Sequence, residues 1–135
     1  MHFSDGLCNL CRNENENVEH LFIKCEYVKN VWENIEMYLK LYRSELEQLT
    51  DFIKIVGILN ADNSFEEVNM ILGLVRREIW KSRCRDNYDG ANEKHRNLIA
   101  NVHFSIKNHI SILLHGKKSK YTSNIERLQK IFGMS

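Results

Sequence analysis

Three cysteines and one histidine near the amino-terminal end have the types and the spacing of a metal site. Cys8, Cys11, His20 and Cys25 form the pattern C-x2-C-x8-H-x4-C. Zinc binds thiolate sulfur at about 2.3 Å and imidazole nitrogen at about 2.0 Å in a tetrahedron, and a tight Cys-x2-Cys knuckle supplies one edge of it. Because four protein ligands leave no position for water, the pattern predicts a structural Zn²⁺ and not a catalytic one.

The segment between the two halves of the pattern suits a loop. Residues 12–17 read RNENEN, a polar and turn-prone run that brings the chain back to the metal. The alternative is that these are ordinary cysteines, or a disulfide pair of a secreted protein, with His20 on the surface. Three cysteines are an odd number for a disulfide framework and no signal peptide is recognisable before them, so the metal site is favoured.

The fourth cysteine, Cys84, lies far along the chain between Arg83 and Arg85. A free, partly buried thiol is the interpretation that its isolation favours. A catalytic thiolate beside His95 or His103 is the alternative, but no spacing in the sequence supports it.

Further strings of residues extend the pattern beyond the four ligands. Residues 7–11 read LCNLC, residues 18–25 read VEHLFIKC, the pair Val31 and Trp32 follows, and residues 71–83 read ILGLVRREIWKSR. These strings resemble the zinc-binding region at the carboxyl end of non-LTR (LINE-type) retrotransposon reverse transcriptases. There C-x2-C, an acidic loop and E-H-L-F-x2-C lead into a helix with a Val-Trp pair. The resemblance covers about residues 7–83, and E-H-L-F-x2-C is its most specific part.

The resemblance implies a part of a reverse transcriptase that helps to hold template RNA or target DNA during target-primed reverse transcription. The partners it implies are that nucleic acid and the remainder of the polyprotein. The chain has no Tyr/Phe-x-Asp-Asp box and no proline for a Pro-Asp nuclease core, so no polymerase or nuclease activity is expected. It is expected to be a fragment or a stand-alone descendant of the enzyme, and not an enzyme itself.

Length and composition predict a small all-α domain with one core. The chain has 135 residues, no proline and six glycines, so little interrupts long helices. No apolar run is long enough to span a membrane, and no membrane partner is expected. Zinc thiolates need a reducing compartment, which predicts an intracellular location, cytoplasmic or nuclear.

Hydrophobic positions three and four residues apart predict a zinc knuckle followed by a bundle of about four helices. A short helix at 52–56, capped by Thr50 or Asp51, follows the first of them. Capping boxes are expected at Ser64 with Glu67 and at Ser123 with Glu126. The main helices are predicted at 26–42, from the first capping box to about Tyr88, at about 91–115, and from the second capping box to Gly133.

Residues 1–45 are predicted to form the knuckle and first helix, and residues 46–135 a helical region packed with them as one domain. The stripes on the two long helices suit an antiparallel hairpin within one chain, although the same stripes could build a homodimer. Met70, Ile71 and Leu74 lie on a second face of the first long helix, which would then need a cover.

The two halves of the chain have opposite charge. Residues 1–70 contain thirteen acidic and six basic side chains, and residues 71–135 contain five acidic and thirteen basic ones. A basic half favours a polyanion such as RNA or DNA, bound through phosphates, although the acidic half could instead fold onto it and neutralise it. The candidate phosphate-binding residues are Arg76, Arg77, Lys81, Arg83, Arg85, Lys94, Arg96, Lys117, Lys118 and Lys120.

Two observations favour another class of function, a zinc-stabilised protein-protein interaction or dimerisation module. The first half is acidic, and the second apolar face of the long helix could bind protein. Trp32 and Trp80 fall within apolar helical faces and are interpreted as core anchors in preference to base-stacking platforms.

Overall fold

The computed structural model describes residues 6–8, 10–43, 46, 50–56, 66–89, 97–116 and 122–133, with the backbone alone at 52, 55, 56 and 85–89. A segment with the cysteine and histidine ligands leads into a π-helical turn, His20–Lys24. Five α-helices follow: α1 (Glu26–Tyr42), α2 (Asp51–Val56), α3 (Glu66–Asp89), α4 (Leu98–Leu114) and α5 (Thr122–Gly133). The predicted all-α fold, with four main helices after the ligand segment, is confirmed.

Several predicted helix boundaries agree with the structure. Helix α1 occupies the predicted range, and α5 begins one residue before Ser123. Thr50 caps α2, since the Ile53 N–H donates a hydrogen bond to Thr50 Oγ1 at 3.2 Å. Ser64 of the first predicted capping box lies outside the described residues. Residues 91–96, at the predicted start of α4, lie outside them as well.

One cluster of buried side chains joins the ligand segment to the four main helices. It includes Cys8 from that segment, Trp32 from α1, Ile79 from α3, Ile106 from α4 and Phe132 from α5. Helices α3 and α4, the predicted hairpin, pack directly against each other, and α5 packs on α4. Burial of these apolar side chains is the main driving force for assembly of the bundle. Within the described ranges, no helix has the length and apolar character needed to cross a membrane.

The apolar residues that the structure leaves exposed differ from those expected. Ile71 and Leu74 are buried and Met70 packs against the core, so the predicted second face of α3 is already covered. Leu113, three residues after the buried Ile110, is 42% exposed. Its neighbour Leu114 packs against the core, so the last turn of α4 stays in contact with the bundle through that residue.

A buried polar contact links α1, α3 and α5. The hydroxyl of Tyr42 donates a hydrogen bond of 2.7 Å to Glu67 Oε1, and burial together with this bond raises the pKa of Tyr42. Arg127 Nη2 donates to the Tyr42 carbonyl at 2.8 Å, and its guanidinium lies 4.8 Å from the Tyr42 ring centroid. One tyrosine thus fixes the end of α1 against two other helices.

His103 is the buried titratable group at the junction of α1, α4 and α5. Its Nε2 lies 2.5 Å from Asn34 Oδ1, which assigns the ring proton to Nε2, and its Nδ1 is buried without a hydrogen-bond partner. The ring contacts Tyr38 edge-on and Phe132 at a tilt. Burial, and next the charge of Lys107, lower the pKa of His103, so the folded protein holds this ring neutral.

Replacing Tyr42 by Phe should lower the free energy of unfolding by about 1–3 kcal/mol, because a buried acceptor then loses its donor. Glu67 Oε2 already has no hydrogen-bond partner, so the substitution leaves both carboxylate oxygens unsatisfied. Urea denaturation measures the change. Tyr38→Phe, in which the ring stacked on Phe132 is kept, is the matched control and should cost less than about 0.5 kcal/mol. Equal effects of the two substitutions would contradict the assigned contact.

Acidification should destabilise the protein partly through His103. The pKa of this residue is about 6.5 in the unfolded chain and lower in the folded one, so below about pH 6.5 the unfolded chain binds the extra proton. Stability should therefore fall as the pH drops through this window. His103→Gln should lose less stability than the parent between pH 7.5 and 5.5, whereas His109→Gln on the same helix should behave like the parent. Denaturation at both pH values checks this, and identical losses for parent and His103→Gln would contradict it.

Candidate metal centre

Backbone hydrogen bonds fold residues 6–16 into a closed knuckle. The Cys8 N–H donates to the Glu14 carbonyl at 2.7 Å, and the Arg12 N–H donates to the Cys8 carbonyl at 2.9 Å. One antiparallel bridge, Leu7 with Asn15, is the strand pairing in the part of the chain that the structure describes, in agreement with the short ribbon expected. Arg12 adopts a φ of 61°, the left-handed conformation that reverses the chain after the second cysteine. The RNENEN run therefore forms the predicted loop.

The other two ligands are placed by a π-helical turn. Asn17 starts this turn as an N-cap, since its Oδ1 accepts a hydrogen bond from the His20 N–H at 2.8 Å. The Cys25 N–H then donates to the His20 carbonyl at 2.7 Å, a bond from residue i+5 to residue i. In an α-helix two residues five apart point about 140° away from each other. The wider π-helical turn places His20 and Cys25 on the same side of the chain. The spacing H-x4-C therefore lets both side chains face the ligand group.

The four ligand atoms form one compact group. Cys11 Sγ lies 3.2 Å from His20 Nε2, and all four ligand atoms lie within 4.8 Å of one another. Two thiolates on one tetrahedral zinc are about 3.8 Å apart, so the spacing suits a shared ion. Cys8, His20 and Cys25 are buried, Cys11 is half-buried, and all three cysteines are free thiols. The donor set and its geometry therefore fit a metal ion such as zinc.

The electrostatics of the group favour a thiolate at Cys8. The Cys25 thiol donates a hydrogen bond to Cys8 and lowers the pKa of Cys8 to about 5, with help from the backbone N–H groups of Cys11 and Leu10 and against the effect of burial. The Leu10 N–H lies 3.4 Å from Cys8 Sγ. The same shared proton, together with burial, raises the pKa of Cys25 above its usual range. Cys8 and Cys25 thus share one proton between two buried sulfurs. A bound cation would stabilise both as thiolates and displace that proton.

Glu14 orients the histidine, a role that the sequence analysis missed. Its Oε2 lies 3.5 Å from His20 Nδ1, while the other ring nitrogen faces the cysteines. A carboxylate behind a ligand histidine fixes the ring and makes the ligand nitrogen more basic. His20 Nδ1 is buried and has no well-aligned hydrogen bond, so Glu14 is the polar group that lies nearest to it among the described contacts. An acidic residue in the loop between the ligand pairs was the available signal.

Two further contacts fix the ligand segment to the helical bundle. The Trp32 indole Nε1 donates a hydrogen bond of 2.7 Å to the Phe22 carbonyl within the π-helical turn. Arg83 Nε donates to Glu16 Oε1 at 2.8 Å, and both side chains are buried. Trp32 is therefore a core anchor, as predicted, and α3 is joined directly to the metal loop.

The structure separates the basic residues predicted to bind phosphate. Arg83 is committed to the buried ion pair with Glu16, and Lys81 Nζ lies 3.4 Å from Glu78 Oε1. Arg77 is exposed, and the half-buried Arg76 has its guanidinium 4.9 Å from the Phe22 ring centroid. Arg85 lies on α3 without a described side chain, and five others fall outside the described residues, namely Lys94, Arg96, Lys117, Lys118 and Lys120.

Among the described residues, Cys84 does not pair with His103, one of the two histidines considered for a catalytic thiolate. It is half-buried on α3, and His103 directs Nε2 to Asn34 while its Nδ1 has no partner. His95 lies outside the described residues. A free thiol remains the interpretation for Cys84.

The chain matches no protein-family model, and no curated protein or solved structure is significantly similar to it. The function must therefore be inferred from the site and from the surfaces beside it.

Purified protein should contain about one zinc per chain, because the ligand set is complete and its atoms already lie within bonding range of a common centre. Elemental analysis of freshly reduced protein measures the ratio. Cys84→Ser should retain the metal, since Cys84 is not part of the group. A chain purified under reducing conditions without any metal would contradict the assignment.

Replacing Cys11 by Ser should loosen residues 1–30 while the long helices survive in part, because their buried stripes can pack without the metal. Hydrogen exchange should rise in the ligand segment and change little in α4 and α5. Complete loss of helical circular dichroism would show that the metal supports the whole bundle.

Proposed function

We propose that the chain is a non-catalytic, zinc-stabilised module that binds nucleic acid, of the kind found in retroelement reverse transcriptases. In this proposal Zn²⁺ is held by Cys8, Cys11, His20 and Cys25 and has a structural role. The ion supplies a fixed point that closes the ligand segment, and no position remains for a substrate. The module assists in holding template RNA or target DNA.

The observation that supports this proposal most strongly is the position of α3. The helix with Arg76, Arg77 and Lys81 packs on the ligand segment, through the Arg83–Glu16 ion pair and through Arg76 above Phe22. A metal-closed segment beside a basic helix is an arrangement suited to a phosphate backbone. The resemblance of residues 7–83 to reverse transcriptase segments points in the same direction.

Charge distribution also supports a polyanion as the partner. The buried Glu16–Arg83 pair neutralises one cation of the basic half with an anion of the acidic half. Most other described ion pairs join residues within one half, such as Lys54 with Glu36 and Lys81 with Glu78. The acidic half therefore does not cancel the positive charge of the basic half through these contacts, and that charge can attract phosphate groups.

A second candidate function is docking of another protein or of a second copy of the chain. Large apolar side chains are exposed on two of the main helices: Met37 and Leu41 on α1, and Phe104, Ile112 and Leu113 on α4. Met37 and Leu41 are four residues apart and share a face of α1. This observation favours an interaction or dimerisation module, with the rest of a reverse transcriptase polyprotein as one partner.

Salt dependence separates the two candidates. Phosphate contacts release counterions, so log K falls steeply with log salt concentration, whereas docking on an apolar surface shows little dependence. Replacing Lys117, Lys118 and Lys120 together by Gln should weaken binding of RNA or duplex DNA about equally for all sequences. It should also flatten the salt slope by up to about three units. Fluorescence anisotropy between about 50 and 300 mM salt measures both quantities.

The control for this prediction is a triple substitution of exposed lysines on other elements, Lys29, Lys40 and Lys130 to Gln, which makes the same change in net charge. It should leave the slope within about one unit of the parent. An unchanged slope in the variant with Lys117, Lys118 and Lys120 replaced would remove these three lysines from the binding surface. Absence of binding by the parent would favour the protein-docking function.

A further inference from the structure

A groove runs along α3 beside the π-helical turn. Phe22, Gly73, Arg76, Arg77 and Trp80 line it, and its volume is about 460 Å³. The four α3 residues follow the spacing i, i+3, i+4 and i+7, which places them on one face of the helix. Small-molecule sites have volumes of roughly 300–1,000 Å³, so the groove has room for one nucleotide.

Arg76 is the cation at the centre of this groove. Its guanidinium lies 4.9 Å from the Phe22 ring centroid, and its Nε is buried without a hydrogen-bond partner. Among the described residues no carboxylate pairs with Arg76 or with the exposed Arg77. A half-buried guanidinium without an anion is unfavourable, and a phosphate entering the groove would satisfy it.

Gly73 keeps one end of the groove open. It lies inside a helix of 24 residues, where glycine is less stable than alanine by about 0.8–1.0 kcal/mol. A Cβ at this position would meet no atom within 4 Å, so neither packing nor backbone conformation requires glycine here. What the missing side chain provides is free space directly beside Arg76 and Arg77.

Trp80 supplies a planar surface at the other end. The ring is half-buried and lines the groove, and the Arg83 guanidinium lies 4.9 Å from its centroid. Arg83 is itself fixed by the fully buried carboxylate of Glu16. The ring predicted to be a core anchor thus packs on the core in part and contacts Arg83, and the part that lines the groove is the surface on which a base would stack.

We propose that this groove binds one nucleotide of a single-stranded polynucleotide, with the phosphate on Arg76 and Arg77 and the base stacked on Trp80. Aromatic stacking beside a cationic groove is the way in which proteins bind single strands without reading their sequence. An intact duplex hides its bases inside the stack and cannot offer one to Trp80. The inference rests on the proposed nucleic-acid-binding function and names the form of nucleic acid bound.

Binding of fluorescein-labelled oligo(dT) and oligo(U), each about twelve nucleotides long, and of a duplex of the same length tests the groove. Arg76→Gln with Arg77→Gln should weaken single-strand binding and flatten its salt slope by about 0.7 units, since the contact to one phosphate is lost. The matched control, Lys29→Gln with Lys130→Gln, removes two exposed cations outside the groove and should leave binding near the parent value.

Two further variants separate stacking from charge. Trp80→Leu should weaken single-strand binding by about 5- to 150-fold with an unchanged salt slope, because one stacked base is lost. Gly73→Leu fills the groove while leaving every charge in place and improving helix propensity, so it should reduce binding without loss of stability. Gly73→Ala is its smaller counterpart and should stabilise the protein by up to about 1 kcal/mol.

The outcomes distinguish the groove from the wider function. Loss of single-strand binding in the groove variants, with duplex binding little changed, supports the proposal. If all groove variants bind single strands as the parent does, the groove is not the binding site. The proposed nucleic-acid-binding function would then still stand. Binding of duplex alone, weakened by the same variants, overturns the single-strand assignment. No binding of any probe by the parent at about 50 mM salt overturns the proposed function and the groove with it.

Discussion

The packing of one imidazole and three thiols, two of them buried, into one compact group determines much of the rest of this structure. His20 and Cys25, five residues apart, meet through a π-helical turn, in which the Cys25 N–H donates to the His20 carbonyl. Trp32 of α1 donates a hydrogen bond to the Phe22 carbonyl within the same turn. The direction in which α1 leaves the ligand segment, and with it the position of the bundle, therefore follows from ligand geometry.

The contacts around this centre form a continuous series of polar pairs. Glu14 contacts the ligand histidine, and Glu16, two residues later, is buried against Arg83 of α3. Arg83 in turn lies against Trp80. The buried Glu16 and Arg83 are thus partners of opposite charge, as low-dielectric surroundings require. The half-buried guanidinium of Arg76 has no carboxylate partner among the described residues, and this distinguishes the groove beside it from the neighbouring ion pair.

Periodicity and ligand spacing were sufficient to predict the helices and the metal ligands. The bounds of α1 follow from its apolar stripe. The ligand set follows from three cysteines and a histidine at close spacing, a combination typical of metal sites. The π-helical turn could not be predicted, because such turns are rare and no residue pattern over 18–25 distinguishes one from an α-helix. Nor could the Glu16–Arg83 pair, since the two residues are 67 positions apart and charge counting does not identify partners.

The Glu16–Arg83 ion pair has a thermodynamic consequence for the whole molecule. Glu16 belongs to the loop between the two pairs of candidate ligands, and Arg83 belongs to the helix beside the groove, so opening the loop would leave a buried cation on α3 without this anion. Closure of the loop and the state of α3 are therefore linked, and linkage is reciprocal. A metal that raised the affinity of the groove for the proposed nucleotide would itself be bound more tightly, by the same factor, when that nucleotide is present.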